Sequence, residues 1–333
     1  MQKSISIVIP CFNEEKYIKN CIVSLLENGF PVELMEILII DGESTDSTRK
    51  IIEKIQTKFP QVKIINNPKK KTPFALNLGV ENASKEFIMI ASAHSSFEKG
   101  YITTLFEERE RLNADVIGGI METKIQNYTK TSVAIMAVLS NKFGVGNAMF
   151  RVGIEKPIEV DTVPFGIYET KLLCEINGYD ERLIRNHDME MSKRLLKKGV
   201  KIFLTPATKC SYYAREKYNE LAKNNYRNGK WNLYTVFITK DFKSLSVRHF
   251  IPFAFVLSLI VPLVLSLFIP VFSYVSLLSF CLYLFAIGFI TLKTVNFKNT
   301  TFLHVVVAFL VLHFSYGIGS LVGFFGFNKL FSS

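Results

Sequence analysis

The sequence predicts an α/β fold followed by a membrane-associated carboxyl-terminal region, and two observations support this prediction. In the amino-terminal part, short runs of β-branched and apolar residues alternate with segments of helical periodicity. This alternation is typical of a mostly parallel sheet covered by helices on both faces. From His249 to Ser333 the only charged residues are Lys293, Lys298 and Lys329. The boundary near Arg248 therefore indicates a change of solvent from water to lipid.

Each of the first predicted strands ends at a polar segment. Pro10 ends the first strand before Asn13-Glu14-Glu15, Asp41 follows the second, and Ser92-Ala93-His94 follows the fourth. Ligands of parallel sheets bind beyond the carboxyl ends of the strands, so we expect one shared cleft there. The predicted strands are Ser4–Ile9, Ile37–Ile40, Val62–Ile65, Phe87–Ala91 and Asp115–Ile120, with helices beginning at Asn13, at Ser44 or Thr45, and at Thr72.

The segment Asn186–Met191 is the part of the chain around which we expect a site to be organised. Asp188 is an acidic residue at the start of a predicted helix, just after a loop, where it is well placed to meet a substrate. The helix is predicted to end at Lys197-Lys198-Gly199. Glu190 lies four residues before Arg194, which we interpret as a surface pair on this helix.

The segments on either side of this helix are less regular. Gly144–Asn147 predicts either a loop that approaches a ligand closely or a turn that needs glycine geometry. Lys201–Leu204 is predicted as a short strand that ends before Pro206. A polar helix is then expected from about Lys217 into Arg227–Trp231.

Three apolar segments near the carboxyl end are each long enough to cross a bilayer, for which roughly 20 residues are needed. A re-entrant pair, or two spans with an interfacial helix, also fits the pattern. In the last segment Ser315, Gly319 and Gly323 recur every four residues, a small-residue stripe suited to helix packing and to oligomer formation. The segments are Phe250–Ile269, Ser273–Leu292 and Thr301–Phe325.

The basic residues beside these segments predict their orientation. Lys240, Lys243 and Arg248 precede the first segment, and Lys293 and Lys298 follow the second. The positive-inside rule then places the preceding domain in the cytoplasm and, with three crossings, the carboxyl end outside. We expect residues 1–235 to form the soluble domain, 236–249 a basic juxtamembrane segment and 250–325 the membrane domain.

Charge and cysteine content exclude some classes of protein. The net charge of +11 fits lysines on solvated helix faces, and also attraction to anionic lipid headgroups and diphosphates. No recognised nucleic-acid-binding motif accompanies the charge, so we expect no nucleic-acid partner. The five cysteines are odd in number and lack metal-site spacing. We therefore expect reduced, buried thiols and a cytoplasmic amino end.

The combination of these motifs resembles family 2 glycosyltransferases, which bind nucleotide-diphospho-sugars with the GT-A fold. A narrower resemblance is to the exopolysaccharide branch that includes the succinoglycan glucosyltransferases, and it covers nearly the whole chain. The general match rests on Pro10–Glu15, Asp41–Asp46, Ala75–Gly79, Asn186–Glu190 and Arg227–Trp231, and the narrower one on Gly144–Asn147, Val160–Val163 and His313–Gly317.

The resemblance implies a set of donor-binding residues at the strand ends. Asp41 corresponds to the residue that contacts the nucleotide base, although a turn or capping aspartate explains it as well. Glu14 lies in the nucleotide pocket or merely favours the helix dipole. The remaining residues implied for the donor are Pro10, Asn13, Lys71, Asn77, Ser92 and His94.

The chain departs from the family at the metal-binding motif. The family places Asp-x-Asp after the fourth strand to hold Mg²⁺ or Mn²⁺ on the donor diphosphate, whereas this chain has Ser92-Ala93-His94. We expect a divalent cation with His94 as ligand, and Mn²⁺ to suit an imidazole nitrogen better than Mg²⁺. The alternative is that His94 hydrogen-bonds phosphate directly.

The resemblance also assigns the catalytic and acceptor side. Asp188 corresponds to the catalytic base of an inverting transfer. Asp161, Arg227, Lys230 and Trp231 are implied for the acceptor or its phosphate, although Trp231 also fits an interfacial membrane anchor.

Together these features predict a membrane-anchored transferase that moves a sugar, most simply from a UDP-hexose, to a polyprenyl-diphosphate-linked saccharide at the cytoplasmic membrane. The product is expected to be a unit of an exopolysaccharide or surface polysaccharide. A processive polysaccharide synthase is the close alternative. A catalytically inactive membrane scaffold that retains the fold is the alternative from a different class.

Overall fold

The computed structural model describes residues 3–294, 296 and 298–326, which form two compact units. The first unit consists of Met1–Glu122 and Gly153–Tyr213, and the second of Thr123–Val152 and Ala214–Ser333. These units do not follow the predicted limits at 235 and 249, because an excursion from the sheet, residues 123–152, clusters with the carboxyl-terminal helices. The predicted limits of the soluble domain, the juxtamembrane segment and the membrane domain therefore remain a prediction.

The first unit is built on a nine-stranded mixed sheet. Its order is β3-β2-β1-β4-β8-β6-β9-β5, with β7 paired to β9. Strands β1 to β4 run parallel, and β8 pairs antiparallel with both β4 and β6. The strands are β1 Ile5–Cys11, β2 Met35–Asp41, β3 Val62–Asn66, β4 Phe87–Ile90, β5 Ser95–Phe97, β6 Val116–Lys124, β7 Ile158–Glu159, β8 Ile167–Glu169 and β9 Ile202–Tyr213.

Helices cover this sheet as the alternating pattern predicts. Every residue of β2 is buried, as expected for a central strand with both faces covered. The predicted α/β class is therefore confirmed, as are the five predicted strands to within a few residues. The helices of the first unit are α1 Ile18–Leu26, α2 Thr48–Gln56, α3 Thr72–Asn82, α4 Tyr101–Leu112, α8 Thr170–Glu175 and α9 His187–Lys197.

Two local predictions differ from the structure. Helix α1 begins at Ile18, not at Asn13, because Asn13 has a φ of +56°, a left-handed conformation that a helix cannot include. Strand β9 continues through Pro206 to Tyr213, where Leu204 was expected to end it. Pro206 has no N–H to donate to the sheet. The next N–H, that of Ala207, donates to the Thr205 hydroxyl at 3.2 Å, so this donor is satisfied by a side chain beside the proline.

The second unit is helical. Three of its helices, α11 to α13, are apolar and long enough to cross a membrane when the short 3₁₀ turn before α11 is included, as the sequence predicts. Its helices are α5 Lys130–Leu139, α6 Lys142–Val145, α7 Met149–Val152, α10 Tyr218–Thr239, α11 Ile251–Leu265, α12 Phe272–Thr294 and α13 Phe302–Phe325.

Helices α10 and α13 pack against each other along their length through glycines. A Cβ at Gly229 would collide with the Tyr316 carbonyl, and one at Gly319 with the Tyr226 carbonyl. A Cβ at Gly323 would lie 2.5 Å from the Lys230 carbonyl. The small-residue stripe is thus filled by α10 of the same chain, so the expectation that it serves oligomer formation is wrong for Gly319 and Gly323.

The segment Gly144–Asn147 packs inside the second unit. It is not an open loop, because α6 ends at Val145 and the next residue, Gly146, caps it with a φ of +65° that favours glycine. A Cβ at Gly146 would lie 2.9 Å from the Arg248 Cβ, and Arg248 donates to Asn147 Oδ1 at 2.9 Å. Close packing and turn geometry therefore account for these glycines.

We predict that Gly229→Ala destabilises the second unit, because its Cβ has no room beside α13. Overpacking of this kind costs typically about 1–3 kcal/mol. Gly288→Ala is the matched control, since a Cβ there meets only the Phe302 ring, at 3.6 Å. Thermal unfolding in detergent should show a lower Tm for Gly229→Ala and an unchanged or slightly higher Tm for Gly288→Ala. Equal Tm values would contradict the packing described for α10 and α13.

Candidate active site

The loops after β1 and β2 are tied together by Asn13. Its Oδ1 accepts from the Thr45 N–H at 2.8 Å, and its own N–H donates to Ser44 Oγ at 2.9 Å. Pro10, at the end of β1, is in register with Ile40 of β2. The strand-end cleft expected from the sequence is therefore built from adjacent loops, with Asn13 as the side chain that joins them.

Asp41 is fully buried at the end of β2. Its Oδ1 accepts from the Ser44 hydroxyl at 2.6 Å, and Arg49 Nη1 lies 3.6 Å from its Oδ2. In this conformation the carboxylate stabilises the turn into α2, which is the capping alternative left open by the sequence. A role in contacting the nucleotide base stays a prediction.

Glu14 and His94 form a pair across the ends of β1 and β4. His94 Nε2 lies 2.9 Å from Glu14 Oε1, and both side chains are partly exposed. The Tyr17 ring meets the His94 ring edge-on with centroids 4.6 Å apart. The imidazole is therefore held by a carboxylate on one side and an aromatic ring on another, at the position where the metal motif was expected.

The residues around His94 fit a divalent cation in part of its coordination shell. His94 and Glu14 place a nitrogen and a carboxylate oxygen side by side, a donor set that suits Mn²⁺ better than Mg²⁺. Ser92 Oγ accepts from the His94 N–H at 3.3 Å. No group of three or more His, Cys, Asp or Glu side chains that could hold a metal occurs among residues 3–294, 296 and 298–326. A cation here would take its remaining ligands from the diphosphate and water.

Asn77 fastens α3 to the turn that leads toward Asp188. Its Nδ2 donates to the Tyr179 carbonyl at 2.9 Å, and its Oδ1 accepts from the Tyr179 N–H at 2.8 Å. A Cβ at Gly178 would collide with Asn77 Oδ1, so glycine is required beside it. Lys71, at the start of α3, is exposed. Asn77 thus has a structural partner, and its role toward the donor stays a prediction.

Asp188 lies in the first turn of α9 and is exposed. Its Oδ1 accepts from the Met189 N–H at 2.8 Å, which orients the carboxylate at the helix amino terminus. Asn186, directly before the helix, has a φ of +60° and turns the chain into it. The structure therefore presents Asp188 as the sequence predicts, at a helix start and open to a ligand.

Two buried tyrosines are close enough to Asp188 for its charge to affect them. Burial first, and the negative charge of Asp188 in addition, raise the pKa of Tyr168, which is in β8. Burial first, and then the neighbouring Tyr168 and Asp188, raise the pKa of Tyr179 well above its usual value. The half-buried His187 ring lies with its centroid 5.9 Å from that of Tyr179, and burial lowers its pKa. Aromatic side chains therefore surround the base of the Asp188 helix turn.

Glu190 and Arg194 pair as their spacing predicts, with Glu190 Oε1 2.7 Å from Arg194 Nε. The pair is not on the surface, however, because Glu190 is only 6% exposed. Arg194 also donates to the carbonyls of Ile176 and Gly178. The interpretation as a surface pair is therefore wrong, since the pair anchors the turn that Asn77 holds from the other side.

The residues implied for the acceptor fall in both units. In the first unit Asp161 Oδ2 lies 3.7 Å from Lys193 Nζ of α9. In the second unit Arg227, Lys230 and Trp231 follow one another on α10. Arg227 is exposed, and the Trp231 ring meets the Tyr234 ring with centroids 5.5 Å apart. Their role toward an acceptor stays a prediction.

Some residues of this site were not found from the sequence. Tyr17, Tyr168 and Tyr179 were not among the predicted site residues, and Arg194 had no predicted link to Asp188. The signal for Arg194 was present in its spacing from Glu190, but burial of the pair depends on the fold. Three cysteines, Cys11, Cys21 and Cys210, are buried as expected, whereas Cys174 and Cys281 are exposed.

Comparison with known proteins identifies the family of this chain. Residues 6–166 match the model of Glycosyl transferase family 2. A Methanococcus voltae protein, dolichyl N-acetyl-alpha-D-glucosaminyl phosphate 3-beta-D-2,3-diacetamido-2,3-dideoxy-beta-D-glucuronosyltransferase, is 33% identical over 68% of this chain and 71% of its own. The succinoglycan biosynthesis protein ExoA of Rhizobium meliloti is 30% identical over 63% of each chain.

A solved structure supports the fold. The mannosyltransferase PcManGT from Pyrobaculum calidifontis, in complex with GDP-Man and Mn²⁺, superposes with a TM-score of 0.59 over 97% of this chain and 87% of its own, at 11% identity. The sheet therefore has the GT-A arrangement that the resemblance implies. With the sequence match at 33% identity, the chain belongs to glycosyltransferase family 2.

Proposed function

We propose that this glycosyltransferase inverts the anomeric centre as it transfers a hexose from a UDP-sugar to a polyprenyl-diphosphate-linked saccharide at the cytoplasmic membrane face. The observation that carries the proposal is Asp188, exposed at the first turn of α9 close to buried Tyr168 and Tyr179. The two relatives reported above act, by their names, on a dolichyl-linked sugar and in succinoglycan synthesis. A lipid-linked saccharide is therefore the acceptor class that best fits this chain.

Asp188 would act as the general base. An acceptor hydroxyl hydrogen-bonded to its carboxylate loses its proton to Asp188 as the oxygen attacks the anomeric carbon of the donor. The bond from that carbon to the nucleotide diphosphate breaks on the opposite face, which inverts the configuration. The hydrogen bond from the Met189 N–H holds the carboxylate in place during this transfer.

The donor would lie over the loops after β1, β2 and β4. Pro10, Asn13, Glu14, Asp41, Lys71 and Asn77 stand around or beneath this cleft, as the resemblance implies. Glu14 and His94, with Ser92 beside them, would hold a divalent cation on the diphosphate, which neutralises charge on the leaving group. The choice of UDP over another nucleotide rests on the family resemblance.

The acceptor would be met by Arg227, Lys230 and Trp231 of α10. For Asp161, in the first unit, a role toward the acceptor rests on the family resemblance. A guanidinium and an ammonium suit the phosphate groups of a lipid-linked acceptor, and an indole ring suits a sugar face. Lys230 Nζ lies 5.2 Å from the Tyr234 ring centroid, so part of its charge is already held by an aromatic face.

The inactive scaffold is the competing function, because Ser92 stands where the family has an aspartate. Exposed Asp188 argues against it. A processive synthase is the other candidate. Such an enzyme needs membrane-crossing helices to export its polymer, so the number of crossings tests it.

We predict that Asp188→Asn abolishes sugar transfer while leaving the fold intact. General base catalysis contributes about 10²–10⁴-fold, so kcat should fall by at least about a hundredfold. UDP release in lipid, with a panel of UDP-sugars and a membrane lipid extract as acceptor source, measures it. The exposed Glu175→Gln, on α8, is the control and should retain wild-type turnover. Full activity in Asp188→Asn would eliminate the proposed base.

The second prediction concerns the cation. Wild-type turnover should be lost in chelator and restored better by Mn²⁺ than by Mg²⁺, because one ligand is an imidazole nitrogen. Ser92→Asp adds a carboxylate and should raise the ratio of Mg²⁺-supported to Mn²⁺-supported turnover severalfold. Turnover that is unaffected by chelator would show instead that His94 meets the phosphate directly.

The third prediction separates two roles of Asn77. We assign it as a positioning residue, since both of its amide atoms bond the Tyr179 main chain. Asn77→Ala should lower kcat about tenfold or more with little change in the KM for the UDP-sugar, and should lower Tm because two partly buried hydrogen bonds are lost. Exposed Asn82→Ala, on the same helix, is the control. A raised donor KM with unchanged kcat would favour direct donor binding.

A further inference from the structure

The far end of the α11–α12 hairpin is an apolar projection. The two helices run antiparallel, joined by a 2.7 Å hydrogen bond between Ser258 and Ser279 and by a bond from Ser276 Oγ to the Leu259 carbonyl. Every residue from 257 to 282 is described, and none is buried. Leu267 and Phe268, at the turn, are each 81% exposed. We name residues 257–282 the hairpin tip.

Most N–H groups in the turn of the hairpin tip are hydrogen-bonded. Those of Ser266–Ile269 donate to carbonyls of α11, and those of Phe272–Tyr274 donate to carbonyls of the turn. Pro270 has no N–H, and among the described residues the Val271 N–H makes no such bond. The hydroxyls of Ser266 and Ser273 donate to the carbonyls of Leu263 and Pro270. A turn with few unpaired donors suits hydrocarbon, where an unpaired N–H is costly.

The hairpin tip is too short to cross a bilayer. From residue 257 to Leu265, α11 rises about 13 Å, and from Phe272 to residue 282, α12 rises about 16 Å, at 1.5 Å per residue. The hydrocarbon core is about 30 Å thick. The tip therefore matches the depth of one leaflet.

Below the tip, the hairpin is packed in protein. Val256 and Tyr283 are buried, and the Phe255 and Tyr283 rings stack with centroids 4.2 Å apart. Tyr283 OH lies 2.9 Å from His313 Nδ1 of α13. A Cβ at Gly317 of α13 would collide with the Pro252 carbonyl of α11. The lower part of the hairpin is thus packed against α13 on one face, while Phe285, Phe289 and Leu292 of α12 are exposed on the other.

Helix α13 is enclosed by other helices of the second unit along residues 304–317. No residue from 304 to 317 is exposed, and all of them are described. The polar helix α10 follows α13 from Tyr218, which donates to the His304 carbonyl, to Phe237, whose ring lies 6.3 Å from that of Phe324. If α13 crossed the bilayer, α10 would be carried into hydrocarbon with its charges, at high cost. Those charges are Glu220, Lys223, Arg227 and Lys230.

Charge along the hairpin supports the same conclusion. Lys240, Lys243 and Arg248 precede α11, and Lys293 lies at the end of α12, while no Lys, Arg, Asp or Glu occurs from Phe250 to Leu292. Both ends of the hairpin are thus basic and its turn is apolar. By the positive-inside rule, both ends belong on the cytoplasmic side, beside anionic headgroups.

We propose that the hairpin tip enters the acyl chains of the cytoplasmic leaflet and returns to the same side, with α10 and α13 at the membrane surface. The helices that the structure describes then make no complete crossing, in place of the three crossings predicted from sequence. The re-entrant pair left open by the sequence is the arrangement that the packing supports. This inference rests on the membrane location in the proposed function, but not on sugar transfer.

The first test reads topology in intact cells, in the full chain with exposed Cys174 and Cys281 replaced by serine. Ser273→Cys should resist a membrane-impermeant maleimide both in cells and in inside-out vesicles, and react once detergent is added. Phe242→Cys, exposed just before the hairpin, is the control and should react in inside-out vesicles. Labelling of Ser273→Cys from outside the cell would show two crossings and overturn the proposal.

A carboxyl-terminal reporter completes this test. Fused green fluorescent protein should fluoresce and fused alkaline phosphatase should be inactive, because the carboxyl end stays in the cytoplasm. Active phosphatase would show three crossings and overturn the proposal. Neither readout requires turnover, so loss of the proposed sugar transfer leaves this result interpretable.

The second test uses charge at the tip. Phe268→Glu places a carboxylate in mid-bilayer if the tip is re-entrant, and should reduce partition of the purified protein onto anionic vesicles at least tenfold. Phe59→Glu, which adds the same charge in the first unit, should not. If the hairpin crosses the bilayer, residue 268 lies among the headgroups of the opposite leaflet, where a carboxylate is tolerated. Equal partition of the two variants would therefore overturn the proposal. Matching Tm values in detergent verify that both variants are folded.

Discussion

The paired hydrogen bonds between Asn77 and the Tyr179 main chain are the constraint on which the catalytic side of the molecule depends. They fix the turn at residues 177–180 from α3, and the buried Glu190–Arg194 pair fixes it from α9. Asp188 begins the helix between these anchors. Its carboxylate is therefore exposed on a rigid support, as the general base proposed for this position would require.

The fold was largely predictable because its signals are local. Residues of β1 and β2 are mostly β-branched or apolar, interrupted only by Ser6 and by Glu36 before the terminal Asp41, and such runs form buried strands. Contacts between residues that are far apart in the sequence could not be predicted. The spacing of Glu190 and Arg194 fits a pair on the surface as well as a pair in the core. The turn at Ile176–Gly178, which packs against the pair, is what removes it from the surface.

The candidate site shows the same limit. Asp188 could be predicted because helix position and charge are properties of its own segment. The partner of His94 could not, since Glu14 lies 80 residues away and the pairing depends on how β1 and β4 align. Gly319 and Gly323 likewise predict close helix packing but not the helix against which they pack. In the structure that helix is α10 of the same chain.

The membrane arrangement bears on the choice between a single transfer and processive synthesis. A synthase that exports its own polymer needs a conduit through the bilayer, which requires helices that cross it. If the hairpin tip stays within one leaflet and α13 is enclosed by α10 and α5, the helices between residues 3 and 326 that the structure describes offer no such conduit. The glycan it extends would then remain on the cytoplasmic side, attached to its lipid, and a separate transporter would have to move it across. The observations that favour a re-entrant hairpin therefore also favour a glycosyltransferase that adds its sugar to a lipid-borne acceptor and releases the product into the same leaflet.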